Sequence, residues 1–330
     1  MIFFRHKSAK AQRRAKGFLR VPLRLRVFVA KKNIMKKVLI TGANGFVGYY
    51  LVQQLLHKNY EIIATGKGPD KLPFSDPKLN YLSLDFTDRQ KVEEVFRHYK
   101  PDIVIHSGAI SKPDECEQNQ EMAFRINVSG TENLLEAAAL YQSLFILLST
   151  DFVFDGKKGM YVEEDHREPV NFYGTTKMLA EDLVFRYPCS WAIARTISVY
   201  GKNHTERSNI VYSIAEAIRS GRQLKMFGDQ VRTPTYVEDL ASAIICIVEK
   251  RKTGIYHIGG EDVRTPYQMA VETAKYLGLD TDLISEVSEE NFPQPARRPP
   301  KTGFNISKAK RELDFHPLSF REGLEKTFGV

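Results

Sequence analysis

From Lys36 to about Trp191, short apolar runs rich in β-branched residues alternate with longer segments whose apolar positions recur at helical period. That alternation predicts an α/β fold, a parallel sheet doubly wound with helices on both faces. The predicted strands are Lys37-Thr41, Glu61-Thr65, Tyr81-Leu84, Asp102-Ser107, Leu144-Ser149 and Trp191-Arg195. The helical segments between them are Phe46-His57, Asp88-Tyr99, Glu121-Tyr141 and Asn171-Arg186. Beyond Thr196 the alternation becomes irregular. Helices are predicted at Asn209-Ser220, Val237-Lys250 and Pro266-Leu277, and strands at Gln223-Phe227 and Gly254-Ile258. A Pro-rich stretch, Phe292-Pro300, and two short amphipathic segments, Ser307-Leu313 and Phe320-Phe328, complete the chain. The reading divides the protein into a basic tail over residues 1–34, a Rossmann-type nucleotide-binding domain over 35–195, and a smaller, mainly substrate-binding lobe over 196–330. The lobe is expected to stand over the carboxyl ends of the strands, where open α/β sheets bind ligands.

The first strand runs into Thr41-Gly42-Ala43-Asn44-Gly45-Phe46-Val47-Gly48, which opens the first helix. Here Gly42 permits the tight turn, Gly45 lets the backbone approach a pyrophosphate, and Gly48 lets helix and strand pack closely. Asn44, Phe46 and Val47 belong to the same turn and helix start and join the expected cofactor contacts. The second strand ends in Thr65-Gly66-Lys67-Gly68. With no carboxylate there for a ribose 2′-hydroxyl and with Lys67 available for a 2′-phosphate, NADP(H) is favoured over NAD(H). Further along, Tyr173 and Lys177 stand at i and i+4, on one face of a helix, and Ser149-Thr150 ends a strand. A free phenol near pKa ~10 is a poor proton shuttle at neutral pH. An ammonium beside it favours the phenolate, so Lys177 is expected to lower the Tyr173 pKa and to hold the nicotinamide ribose, with the Thr150 hydroxyl meeting the substrate oxygen.

Charge removes one function class. The 330 residues carry 48 Lys and Arg against 40 Asp and Glu, yet eleven of the basic residues and no acidic ones lie before Met35. The body, with 37 basic and 40 acidic side chains, gives no hint of a basic face for nucleic acid. Met35-Lys36-Lys37-Val38-Leu39-Ile40 reads as a natural start, which makes residues 1–34 an upstream mis-start or an unstructured tail. An Arg-rich targeting peptide and a tail touching anionic lipid or nucleic acid are the other two readings. No apolar run reaches the ~18 residues of a membrane span. The scattered Cys116, Cys189 and Cys246 read as buried thiols of a reducing cytosol, hence a cytoplasmic protein. His106, His204 and His257 share no metal-ligand spacing, so no metal is expected.

The G-x-x-G-x-x-G turn, the Y-x-x-x-K pair and the helix Asn127-Val128-Ser129-Gly130-Thr131-Glu132-Asn133-Leu134-Leu135-Glu136-Ala137 together resemble the extended short-chain dehydrogenase/reductase family from Lys36 almost to the C-terminus. The resemblance implies that Asp85-Phe86 meets the adenine, that Gly108-Ala109-Ile110 runs past the cofactor, and that Asn127 fixes the backbone beneath the active site. Within that family Ser149-Thr150-Asp151-Phe152-Val153-Phe154-Asp155-Gly156, Gly228-Asp229-Gln230-Val231-Arg232-Thr233-Pro234-Thr235-Tyr236, Ala194-Arg195-Thr196 and Arg298-Pro299 look like the dTDP-4-dehydrorhamnose reductases. They imply NADPH-dependent reduction of the 4-keto group of a nucleotide-linked 6-deoxy sugar. Thr233, Thr235, Tyr236 and Arg297 or Arg298 are the expected substrate contacts, with the arginines on the diphosphate. Nucleotide-sugar dehydratases of this branch carry Asp-Glu after the Thr, whereas Asp151 is followed by Phe152. An NAD-dependent 4-epimerase and a non-catalytic regulatory subunit similar to the methionine adenosyltransferase β subunit stay as alternatives, and a homodimer is the assembly left open.

Overall fold

The computed structural model describes residues 35–205 and 209–329, so the basic tail and its three readings lie outside the described residues. β1 (Lys36–Thr41) leads through the glycine turn into α1 (Phe46–Leu56). Then follow β2 (Tyr60–Gly66), β3 (Leu79–Ser83), α2 (Arg89–Tyr99), β4 (Ile103–His106), α3 (Pro113–Gln118), α4 (Gln120–Phe124), α5 (Gly130–Leu140), β5 (Leu144–Thr150), α6 (Phe172–Phe185) and β6 (Trp191–Thr196). Beyond these come β7 (Val199–Tyr200), α7 (Ile210–Arg219), β8 (Leu224–Phe227), β9 (Thr235–Tyr236), α8 (Val237–Lys250), β10 (Gly254–Ile258), α9 (Pro266–Tyr276), β11 (Ile284–Val287), α10 (Ser307–Leu313) and α11 (Phe320–Phe328).

Seven strands form one parallel sheet in the order β10-β6-β5-β4-β1-β2-β3. Its inner strands are buried on both faces, which is why they read as near-continuous apolar runs, whereas the edge strand β3 has no fully buried residue. Along β1, Val38 and Ile40 point into one core with α1, α8 and α10, while Leu39 points into another with α2, α5 and α6. β5 alternates likewise, Leu144 and Ile146 against Phe145 and Leu147. The order in which strands are added reverses between β1 and β4, and the strand ends there leave a crevice at the carboxyl edge. Two parallel pairs, β8 with β11 and β7 with β9, lie outside the large sheet.

Three segments differ from the sequence reading in ways that bear on the site. β10, read from its position in the chain as part of the second half, hydrogen-bonds along β6 from Gly254↔Ala192 to Ile258↔Thr196 and closes one edge of the main sheet. α8, from the same half, covers the sheet beside α1, because its apolar stripe of Leu240, Ala241, Ile244 and Ile247 is as buried as any strand. The segment predicted as one helix from Glu121 to Tyr141 is interrupted by a π-helical turn, Arg125–Ser129. Such turns widen the helix by one residue and re-aim a side chain; here the residue within it is Asn127.

Candidate active site

A cavity of about 740 Å³ opens over the carboxyl ends of β1, β2 and β4. Gly42, Asn44, Gly45, Lys67, Asp85, Phe86, Gly108, Ala109 and Ile110, all expected at the cofactor, line it. Gly42 adopts φ +71°, and a Cβ there would lie 2.8 Å from the backbone of Gly108, so the β1 and β4 turns touch at this point. Gly48 is buried below: a Cβ on it would meet the Gly42 carbonyl oxygen at 2.1 Å. Phe46 and Val47 supply the first turn of α1 and pack against the core with their side chains half-buried. Gly45 caps α1 without any side-chain hydrogen bond, in contrast to the Asn171, Thr265 and Ser319 caps of α6, α9 and α11. The N–H groups and partial positive charge of that helix end therefore face the cavity, the arrangement that binds phosphate.

Side chains tie this floor to its rim. Asn44 donates from Nδ2 to the Pro69 carbonyl at 2.9 Å and to the Tyr81 hydroxyl at 2.7 Å, and its Oδ1 accepts from the Lys71 amide. The loop after β2 is thus held against the glycine turn, with Lys67 and Lys71 on the cavity wall. Lys67 is exposed and lies 3.2 Å from Asp85. Burial works to raise the Asp85 carboxyl, but hydrogen bonds from the Thr87 hydroxyl and amide, together with Lys67, bring it below its ordinary value.

The π turn explains Asn127. Its Oδ1 accepts from the Ile110 amide at 2.9 Å, and its Nδ2 donates to the Ile110 carbonyl and the Thr176 hydroxyl, each at 3.0 Å. One buried amide thereby fixes the strand-end backbone that lines the cavity and couples it to α6, the helix that carries Tyr173 and Lys177. Tyr173 is buried in an apolar cluster with Ile110, Cys116 and Ala123. Its phenol is pushed up by burial; contact with the Thr150 hydroxyl works downward, and Asp151 and Cys116 work upward. The groups acting on the phenol therefore differ from the expectation that assigned its tuning to Lys177. Lys177 itself is buried, and its ammonium is brought down to about 8, with Glu181 one turn on opposing the shift. Glu181 is clamped by Arg195 at 2.9 and 2.7 Å and receives the Ser149 hydroxyl at 2.6 Å. Arg195 thus braces the helix behind Lys177 rather than facing a ligand. His106 bridges Thr41 and Thr131 beneath the cavity and is lowered to about 3 by burial and by Lys177, so it is a neutral core residue.

The expected substrate contacts fare differently. Thr233, Thr235 and Tyr236 are buried, and their hydroxyls have partners inside the protein. Thr233 accepts from the Phe304 amide, Thr235 donates to the Ile197 carbonyl at 2.8 Å, and Tyr236 donates to Glu238 at 3.0 Å. They pack the seam where β9 meets the main sheet. Arg298 closes a two-point ion pair on Asp114 of α3, with Asp114 also accepting from the Ala296 amide. Arg297 is exposed, and its carbonyl accepts from Asn171 at the start of α6. The Pro-rich stretch is therefore fastened to the helices beside Tyr173. Asp114→Asn is expected to cost about 1–2 kcal/mol, near the low end for a charged hydrogen-bonded pair because Asp114 is partly exposed. Urea unfolding measures it, and an unchanged midpoint would show the fastening to be idle.

Residues 35–329 match the RmlD substrate binding domain family. The chain belongs to that family. Among its RmlD relatives and neighbours, the spore coat polysaccharide biosynthesis protein SpsK of Bacillus subtilis is 31% identical over 295 residues, covering 88% of this chain and 96% of that one. Methionine adenosyltransferase 2 subunit beta of Mus musculus is 27% identical over 298 residues, covering 88% and 87%. The crystal structure of dTDP-4-dehydrorhamnose reductase from Bacillus anthracis in complex with NADP superposes with a TM-score of 0.79 at 28% identity, covering 89% of this chain and 99% of that one. The Rossmann-like fold of this RmlD member and its resemblance to the extended reductases are thus shown.

Sequence reasoning passed over several cavity residues. Tyr49, Lys71, Leu72, Ser107, Ile126 and His204 also line it. Lys71 was legible as a second cation in the loop that carries Lys67. His204 was not, since it arrives from beyond β7 and stacks on Tyr49 at 4.7 Å.

Proposed function

We propose that the protein is an NADPH-dependent reductase of the 4-keto group of a nucleotide-linked 6-deoxy sugar. The observation that carries this reading is the meeting of Tyr173 and Thr150, with Lys177 one turn on along α6, next to a glycine-floored cavity of dinucleotide size, joined to it through Asn127 and Ile110. Membership of the RmlD family and likeness to a reductase solved with NADP support it. The residues present fit the cofactor: a helix end open to phosphate, a glycine turn with no room for side chains, and a cation beside the β2 exit. Gly42, Gly45, Gly108 and Ala109 would hold its backbone-facing side, with Lys67 and Lys71 at a 2′-phosphate. When bound, the nicotinamide supplies the hydride.

The chain's own part is proton supply and orientation. Tyr173 sits in an apolar pocket that keeps its hydroxyl protonated at neutral pH, so it serves as the acid that protonates the sugar oxygen. Lys177, buried and lowered to about 8, is charged below that value and is placed to hold the ribose. Exclusion of water by Ile110, Phe152 and Phe172 strengthens each of these interactions.

The test is NADPH oxidation by the full chain, followed by fluorescence, with and without a dTDP-linked 4-keto-6-deoxy sugar. Sugar-dependent oxidation supports the reductase. NADPH bound without turnover moves the reading to a binding subunit like the methionine adenosyltransferase relative, and tightly held NAD moves it to an epimerase. Lys67→Glu is expected to reduce the preference for NADPH over NADH by roughly tenfold, the loss of about 1.4 kcal/mol of phosphate attraction. Equal fluorescence titrations of the two cofactors before and after substitution would remove Lys67 from the 2′-phosphate site.

A further inference from the structure

The Thr150 hydroxyl has one proton and two lone pairs. It lies 3.0 Å from Asp151 Oδ1 and receives the Phe152 amide at 3.3 Å, while Tyr173 reaches it from α6. An ionised carboxylate only accepts hydrogen bonds, so whenever Asp151 is charged the Thr150 proton must point to it and away from the site. Asp151 is 2% exposed. Its other oxygen takes the Thr302 hydroxyl at 2.5 Å, and the charged group facing it is the Arg232 guanidinium, whose Nε is 3.9 Å away. Thr302 lies just past the Pro-rich stretch, in a strap over residues 300–302 that also bonds Gly156 through Lys301 and Val231 through Pro300. The carboxyl therefore joins the end of β5, the strap and the loop before β9 at one buried point.

We propose that Asp151 is a positioning residue that decides which way the Thr150 proton points. With Asp151 ionised, Thr150 donates to it and only accepts from Tyr173. With Asp151 protonated, the acid donates to Thr150 Oγ1 and the Thr150 proton is released toward the sugar oxygen, no heavy atom having moved. No bond other than hydrogen bonds changes, and one proton on Asp151 is exchanged with solvent. This rests on the reading that Thr150 and Tyr173 meet the sugar oxygen. It adds to that reading a residue and a pH dependence. Burial holds Asp151 above its ordinary value, Arg232, Thr302 and Thr150 pull it back, and its charge in turn acts on Tyr173.

The test compares the full-length wild type with Asp151→Asn and Thr302→Val, each with NADP⁺ bound, by ¹³C-carboxyl NMR titration, and then by the pH profile of sugar-dependent NADPH oxidation. A carboxyl signal absent from Asp151→Asn should titrate above the ordinary aspartate value of ~3.9, and about one pH unit higher still in Thr302→Val, which removes a hydrogen bond to the charged form. Wild-type turnover should fall as pH rises through the same value. That decline should move up in Thr302→Val and vanish in Asp151→Asn, whose amide donates to Thr150 at every pH. Loss of rate from Lys177 deprotonation at higher pH is common to all three. A signal in the ordinary range, or one unmoved by Thr302→Val, overturns the proposal, as does the same decline in all three proteins. If Asp151→Asn does not fold, the Thr302→Val displacement alone identifies the signal and decides. A wild type that never turns over the sugar overturns the functional reading, while the carboxyl titration still accepts or rejects the Asp151 coupling.

Discussion

Tyr173→Phe is expected to leave NADPH binding within about twofold of the wild type and to cut sugar-dependent oxidation by about 10²–10⁴-fold, the usual loss when a general acid is removed. The substitution deletes one oxygen from a side chain already packed among Ile110, Cys116, Ala123 and Phe152, so the ring and the helix stay in place. The cofactor cavity is lined by other residues, which is why affinity and turnover should separate. Loss of the phenol also frees the Thr150 oxygen of a partner it can regain from the substrate, so stability should change by less than about 1.5 kcal/mol. Parallel NADPH titration and turnover measurements check this. Turnover unchanged in the variant would remove Tyr173 as the acid, and an equal loss of binding and turnover would make it a packing residue.

Gly48→Ala is expected to do the opposite, damaging the cofactor site before the chemistry. The added methyl would stand 2.1 Å from the Gly42 carbonyl oxygen and 2.7 Å from Ala43 Cα, both backbone atoms that cannot turn aside as a side chain can. Relief requires α1 to move off β1, which swings the free N–H groups of its first turn away from a phosphate and opens the core beneath Tyr49 and Leu51. The cost in stability should be about 1–3 kcal/mol, as for other overpacked sites, and NADPH affinity should fall roughly tenfold or more. Thermal unfolding and fluorescence titration read the two effects. A variant with wild-type affinity would mean that the phosphate is held elsewhere than at the start of α1.

Much of this protein was legible in its sequence because the relevant signals are local. Apart from the edge strand β3, the strands β1 to β6 announce themselves as apolar runs, and eight consecutive residues suffice to place a glycine-rich turn between a strand and a helix. Tyr173 and Lys177 fall on one face of α6 by helical period alone, and the lack of an acid after β2 is visible in four residues. Asn127 was singled out by resemblance and bonds the Ile110 backbone at the cavity, yet the π turn that aims it there has no signature in a segment whose composition suits an ordinary helix.

What the sequence could not decide depends on pairings between distant segments. β10 joins β6 across 62 residues, as in Arg195↔His257, and nothing in Gly254–Ile258 distinguishes an edge strand of the main sheet from one in a separate lobe. Thr233, Thr235 and Tyr236 look like polar contacts in a linear reading but are sealed in the seam beside that sheet, where their hydroxyls bond to the protein groups around them. Arg298 is held by Asp114 from 184 positions away, and Thr302 reaches Asp151 across 151. The sequence by itself determined most of the secondary elements, the glycine turn between β1 and α1, and the placing of Tyr173 and Lys177 on one helix face with Thr150 at a strand end, because short-range sterics and periodicity dictate them. Only the tertiary structure decided which polar side chains are spent on one another and which face the cavity, because that depends on how closure of the whole fold distributes a limited number of hydrogen-bond donors and acceptors.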